Sequence, residues 1–183
     1  MKIKDLTLMA VFTALCAVCA WISIPLVVPF TMQTFAVFLA CLVLGGCRAS
    51  ISLAVYLLLG AIGIPVFASF NAGVGVLLGP TGGYIVGFVF LGLVYALCTK
   101  LIRNELVGQI VGLVAGLVVL YLFGTVWFVF GYTGGGEMSF AIALAKCVVP
   151  FILPDAAKMA LALFVAVLIG IYGVSLYRLQ IVK

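Results

Sequence analysis

Charge is nearly absent from this chain. Its 183 residues include nine Lys or Arg, four Asp or Glu and no His, so 7% are charged, against roughly 25% in an ordinary soluble domain. Apolar residues supply 68%. A soluble fold of this size cannot hide that much apolar surface, and disorder needs low hydrophobicity with high charge. A polytopic membrane protein remains. At about 20 residues per helical crossing, 183 residues hold six spans, and the leftover loops are too short for a separate soluble domain. The expected fold is all-α, one transmembrane domain over residues 1–183. The net charge of +5 is scattered, without stripe or cluster, which argues against nucleic-acid binding.

Turn residues and charges divide the chain into spans at residues 6–24, 34–46, 51–63, 84–98, 106–130 and 151–177, the last with a possible break at Pro154. The N-terminal apolar run resembles a signal peptide only superficially. It continues to Ile24, beyond a usual h-region, and reads as the first span. Six spans put Lys2, Lys4, Arg48, Lys100, Arg103, Arg178 and Lys183 on the side of both termini, and only Lys146 opposite, with Lys158 inside a span. The positive-inside rule then places both termini in the cytoplasm of a cell-membrane protein. The three outer connections, residues 25–33, 65–83 and 131–150, are long and rich in Gly, Pro, Asn, Thr and aromatics, including Gly134-Gly135-Gly136. Loops with such backbone demands carry function more often than short connectors, so the ligand site is expected on the outward face.

Asp155 and Lys158 are the only charges embedded in a span. A spacing of three puts them on one helix face, and a charge in the bilayer costs about 2.5–3.5 kcal/mol on insertion scales. Both should face the bundle interior or a wet cavity, as a ligand site or as a structural ion pair. Gly79-Pro80-Thr81-Gly82-Gly83-Tyr84, preceded by Asn71-Ala72-Gly73-Val74-Gly75, offers close backbone approach. It lacks the Gly-Lys-Ser/Thr of a phosphate loop, which leaves ligand contact or a plain re-entrant loop or helix cap. Pro29-Phe30-Thr31-Met32-Gln33-Thr34 offers an amide and two hydroxyls. Phe67, Phe70, Tyr84, Trp127 and Tyr132 are candidate apolar walls or members of an interfacial belt.

Small residues recur at spacing four: Ala10 and Ala14, then Gly108, Gly112 and Gly116. Such spacing lets helices pack closely in lipid. The glycines read as internal packing, and the alanines as packing or a partner face. Cys16-Ala-Val-Cys19 has metal or redox spacing, but the remaining cysteines, Cys41, Cys47, Cys98 and Cys147, supply no second such pair and no histidine exists to complete a zinc site. The cysteines read as small apolar residues, with no metal or cofactor expected. The missing histidine and the lack of a second intramembrane carboxylate argue against an enzyme. With no nucleotide motif, active uptake would need another protein to supply energy.

Val28-Pro29-Phe30-Thr31-Met32-Gln33-Thr34, Gly63-Ile64-Pro65-Val66-Phe67, Gly79-Pro80-Thr81-Gly82-Gly83-Tyr84 and Pro154-Asp155-Ala156-Ala157-Lys158, in this order and spacing, resemble the BioY family. These are biotin-binding membrane (S) components of energy-coupling factor (ECF) transporters. The resemblance implies a six-helix fold, an outward biotin pocket, and partners: a transmembrane coupling subunit and two ABC-type ATPases that bind ATP. It implies that Ala10 and Ala14 match the Ala-x-x-x-Ala motif that meets the coupling subunit. Asp155, Lys158, Asn71, Tyr84, Gln33 and Phe67 are the expected substrate-binding residues. Asp155 would accept from the ureido N–H groups of biotin, Asn71 would pair with the ureido edge, and Phe67 and Tyr84 would cover the thiophane. A ligand carboxylate on Lys158 is the competing pose. An S component or small carrier for another vitamin is the alternative function, and a membrane enzyme a more distant one.

Overall fold

The computed structural model describes residues 3–26, 28–132 and 139–181, with side chains detailed through residue 170. Lys2, Lys183, Glu137 and Gly134-Gly135-Gly136 lie outside the described residues, as does the Arg178 side chain. Eight α-helices occur among the described residues: α1 (Ile3–Trp21), α2 (Gln33–Leu44), α3 (Gly46–Ala61), α4 (Val74–Leu78), α5 (Gly82–Leu101), α6 (Glu105–Val126), α7 (Phe140–Cys147) and α8 (Val149–Ile181). The chain is mostly helical, as expected. Among the described residues, four stretches are long and apolar enough to cross a membrane: α1, α5, Glu105–Tyr132 and the Val149–Gly170 part of α8. Helices α2 and α3 are apolar but shorter.

The long connections hold more structure than expected. Residues 25–33 contain the second strand of a two-residue hairpin, β1 (Ser23–Ile24) antiparallel to β2 (Phe30–Thr31), with Ser23 opposite Thr31. Residues 66–83 fold into a 3₁₀ turn (Ala68–Phe70) and α4. Residues 131–150 contain α7. Pro154 does not break α8, which runs through it. Its missing N–H would have bonded the Pro150 carbonyl, so only one bond near the helix start is lost. Between α2 and α3 the expected loop reduces to Gly45, whose φ of +77° suits a residue without a Cβ. Arg48 therefore lies in the first turn of α3, where its guanidinium is 3.5 Å from Asp5.

Glycine sets the helix spacings. Helices α5 and α6 pack along their length, and Gly108, Gly112 and Gly116 all face α5, against Thr99, Tyr95 and Leu91. That face is internal packing, as read from the spacing. The start of α3 crosses the end of α5 at backbone contact. A Cβ at Gly46 would lie 2.5 Å from the Ala96 nitrogen, and one at Gly92 would strike the Ser50 hydroxyl. Buried Thr13 ties α1 to α3: its hydroxyl donates to the Ser52 carbonyl at 3.0 Å and shares a 2.9 Å hydrogen bond with the Ser52 hydroxyl. The main core fills the space among α1, α2, α3 and α5, capped by Met159 and Ala162 of α8. A second cluster gathers Tyr84, Phe128, Val129, Ala143 and Cys147 under α7.

Ala10 and Ala14 sit on the exposed side of α1, away from Thr13. All six cysteines are free, and among the described residues no His/Cys/Asp/Glu cluster has metal-site geometry.

The α3–α5 crossing has no room to relax. Gly92→Val should destabilise the protein by about 1–3 kcal/mol, the usual cost of overpacking, read as a lower thermal midpoint in detergent. Gly75→Ala, with nothing within 4 Å of the added methyl, should leave the midpoint unchanged.

Candidate ligand-binding site

One cavity of about 250 Å³ opens beside the start of α8. That lies just under the roughly 300 Å³ lower bound for drug-sized pockets, so it suits a compact ligand. Its wall comes from nearly every element: Val28, Pro29 and Thr31 from the hairpin region, Gln33 and Thr34 from α2, Phe67, Ala68 and Asn71 from the 3₁₀ turn, Val76 from α4, Pro80 and Thr81 before α5, Tyr84, Ile85 and Phe88 from α5, Leu120 and Tyr121 from α6, and Cys147, Phe151, Asp155 and Lys158 from α7 and α8. All six residues expected at a substrate site from the sequence, Asp155, Lys158, Asn71, Tyr84, Gln33 and Phe67, line this one cavity.

The polar floor is a charge pair. Lys158 Nζ lies 2.8 Å from Asp155 Oδ1, with both side chains buried. At 1.5 Å per residue, Lys158 is about 14 Å from the start of α8. Removing two charges from solvent is tolerable only when their remaining hydrogen-bonding capacity is met. Here it is. The ammonium also donates to the Thr31 carbonyl at 2.7 Å and the Thr34 hydroxyl at 3.2 Å, which uses its three protons, and it sits 4.2 Å from the Phe30 ring centroid. Thr34 donates to Asp155 Oδ1 at 2.8 Å and Tyr121 to Asp155 Oδ2 at 2.6 Å. Among the described residues, no buried side-chain nitrogen or oxygen lacks a partner.

What the floor can still bind follows from counting. Lys158 has no free N–H. Asp155 Oδ1 already accepts two bonds, whereas Oδ2 accepts only the one from Tyr121. A carboxylate oxygen takes about two bonds, so the opening on this pair is an acceptor. Gln33 adds another. Its Oε1 accepts from Thr31 at 3.1 Å while its Nε2 donates to Tyr56 at 2.7 Å. Exposed Asn71 donates one N–H to the Ala68 carbonyl at 2.9 Å, leaving a second N–H for the mouth of the cavity. The cavity therefore suits a ligand with N–H donors at its inner end and an acceptor or anionic group at its outer end.

The apolar walls are held from behind. The Phe67 ring lies over Gly60, where any Cβ would intrude, and meets Tyr56 edge-on at 5.6 Å. Its loop is braced by α1: Trp21 donates to the Pro65 carbonyl at 3.0 Å and stacks on Phe70 at 4.9 Å. Ser69 and Phe70 adopt left-handed φ values of 57° and 59°, a conformation non-glycine residues keep only when their surroundings impose it. The glycine motif before α5 serves close packing. Gly82 abuts the Leu77 backbone and Gly83 lies beneath Trp127, whose indole donates to the Gly79 carbonyl at 3.1 Å. This places Pro80, Thr81 and Tyr84 on the cavity. The Tyr84 hydroxyl is engaged by Thr125 at 3.2 Å. Phe70 and Tyr132 are exposed and, like Trp127, are not cavity walls. Burial pushes the Cys147 thiol above its ordinary pKa, partly opposed by Lys146, so it is a protonated, weakly polar wall.

Tyr121, Thr34 and Phe30 surround the charge pair; Phe30 and Thr34 belong to the hexapeptide singled out in the sequence, and Tyr121 does not. Thr34 was one of two hydroxyls in a polar hexapeptide. Tyr121 is one of two hydroxyls, with Thr125, in an apolar helix, off the Gly108/Gly112/Gly116 face, and no local pattern marks it.

Residues 1–172 match the BioY family. The chain belongs to the BioY family. Similar members include the "Probable biotin transporter BioY" of Pyrococcus horikoshii, 41% identical over 91% of this chain and 96% of that protein. The "Biotin transporter BioY" of Thermotoga maritima is 40% identical over 89% and 94% of the two chains. A crystal structure of the S-component for biotin from an ECF-type ABC transporter superposes with a TM-score of 0.78 at 26% identity, covering 90% of this chain and 89% of that one. BioY proteins are membrane transport components and not enzymes, so this family member is a multi-pass membrane transport protein.

Breaking the charge pair one partner at a time should expose its energetics. Lys158→Met strands a buried carboxylate and should destabilise the protein by about 3–5 kcal/mol. Adding Asp155→Asn should restore most of that loss in denaturant unfolding in micelles, since the stranded charge is gone.

Proposed function

We propose that this chain binds biotin in the cavity beside α8 and serves as the S component of an ECF-type biotin uptake system. The observation that carries the reading is the unfilled hydrogen-bonding capacity of the floor. Asp155 Oδ2 and Gln33 Oε1 each have room for one donor, and Lys158 has none to give. A cyclic urea presents two N–H groups to such acceptors. Phe67 and Tyr84 flank the apolar thiophane; Asn71, expected at the ureido edge, is exposed and donates instead to an outer carboxylate. This arrangement favours the ureido end inward. The pose with a carboxylate on Lys158 would require breaking one of that ammonium's three bonds. The names of the similar proteins support the same ligand.

The site residues are then Asp155, Lys158, Asn71, Tyr84, Gln33 and Phe67, joined by Tyr121 and Thr34. The chain crosses the plasma membrane six times as a single domain, with α2 and α3 as the short crossings and both termini in the cytoplasm. The bundle end carrying Asp5, Arg48, Lys100 and Arg103 faces inward, and the cavity opens outward. The exposed Ala10/Ala14 face of α1 meets a transmembrane coupling subunit, which with two ABC-type ATPases supplies the energy this chain cannot.

Purified protein should bind biotin and not riboflavin or thiamine in calorimetric titration. Asp155→Asn or Lys158→Ala should weaken binding at least about tenfold, 1.4 kcal/mol; wild-type affinity in both variants would remove the site assignment. Separately, Ala10→Leu with Ala14→Leu should abolish cellular biotin uptake while sparing binding. Loss of binding in that double variant would instead identify the alanines as internal packing.

A further inference from the structure

Gln33 lines the cavity, but its amide is not free to choose which atom it shows to a ligand. Behind it stands Tyr56 of α3, one of the most deeply buried side chains, 1% exposed. The Tyr56 hydroxyl lies 2.9 Å from the Val66 carbonyl and 2.7 Å from Gln33 Nε2. A carbonyl only accepts, so the single Tyr56 proton goes to Val66. The Tyr56 oxygen must then accept, and the group facing it must be the Gln33 NH₂. On its other side, Oε1 takes the Thr31 proton at 3.1 Å, while the Thr31 oxygen accepts the Gln33 backbone N–H at 3.3 Å. Inverting the amide would bring two acceptors, Gln33 Oε1 and Val66 O, to one Tyr56 proton. One would be left unpaired in a buried site, which is costly.

We infer that Tyr56 is a positioning residue for ligand selectivity: the relay Gln33–Tyr56–Val66 locks the amide so that Oε1 stays on the Thr31 side with room for one more donor, matched to a ring N–H of the ligand. The inference rests on the cyclic-urea reading of the site and adds a residue that does not itself line the cavity. The relay joins α2 to the loop carrying Phe67, because Val66 precedes that wall residue. The Phe67 ring also packs edge-on against the Tyr56 ring. One tyrosine thus sets both the hydrogen-bonding polarity and the apolar wall at the inner end of the pocket.

The test is calorimetric titration of biotin into wild type, Tyr56→Phe, Gln33→Ala and the double variant. Tyr56→Phe keeps the ring and its contact with Phe67 and removes only the relay oxygen. It should weaken biotin about tenfold, 1.4 kcal/mol, in the otherwise native protein, and by less than about twofold, well under 1.4 kcal/mol, once Gln33 is Ala. An equal factor in both backgrounds, or no loss in either, overturns the inference. Loss of the relay also leaves the Val66 carbonyl unpaired and can lower the folded fraction. A within-protein ratio removes that effect. The preference for biotin over its two ring-N-methyl isomers should fall at least about fivefold, roughly 1 kcal/mol, in Tyr56→Phe for one isomer. An unchanged preference for both overturns the inference. A wild type that does not bind biotin removes the underlying functional reading and the relay's ligand together, whereas binding without coupling removes the relay alone.

Discussion

The ion pair between Asp155 and Lys158 organises the rest of this structure. Two charges about 9 Å and about 14 Å along a helix in an apolar bundle cannot be left to water or to lipid. The surrounding chain supplies what they lack: the Thr31 carbonyl, the Thr34 and Tyr121 hydroxyls and the Phe30 face. These groups come from β2, α2 and α6, so satisfying one pair on α8 ties four elements together at one level. Neutralising the pair internally also decides what the cavity can recognise. With the ammonium saturated, the spare capacity of the pair lies on Asp155 Oδ2, an acceptor, so the cavity suits a group that donates.

The scaffold around that pair is built by close approach. Gly46 against Ala96, Gly92 against Ser50, and the Gly108, Gly112, Gly116 face against α5 bring helices near backbone contact. This suits a chain whose apolar exterior gains nothing by burying itself away from lipid, and whose helix association depends on packing and hydrogen bonds instead. Tightness stops at the cavity, where aromatic rings rather than helices face each other. Phe67 rests on Gly60, Tyr84 on Gly124 and Trp127 on Gly83, each ring held where a methyl would stand. The left-handed Ser69 and Phe70 are held by Trp21 at the end of α1 and Ser23 of β1. The loop at the mouth is therefore fastened to the helix that also carries exposed Ala10 and Ala14.

Membership of the BioY family and the match to a biotin S-component give this geometry its context, and the geometry adds detail to the family resemblance. The floor is polarised rather than merely polar. The Lys158 donors are consumed by the protein, Asp155 Oδ2 and Gln33 Oε1 keep room for a donor, and a buried tyrosine outside the cavity lining fixes the direction of the Gln33 amide.

The sequence by itself determined the class of protein and the charge pair that lines the cavity. Scarcity of charge excludes a soluble fold whatever the tertiary arrangement. A spacing of three on one helix pairs Asp155 with Lys158 through local geometry alone, and the loop composition around Asn71, Gln33, Phe67 and Tyr84 marked residues that the fold brings to one cavity. It did not determine that α4, α7 and a hairpin occupy the long connections. Those elements are short, and their burial comes from what lies across from them. Nor did it reveal Tyr121, Tyr56 or the role of Thr34. Their bonds join residues 34, 23 and 121 positions apart, and no periodicity within a helix carries that information. Only tertiary structure decided which lone hydroxyls in apolar helices would meet a charge or an amide, because a hydroxyl's value depends on the partner that folding places beside it.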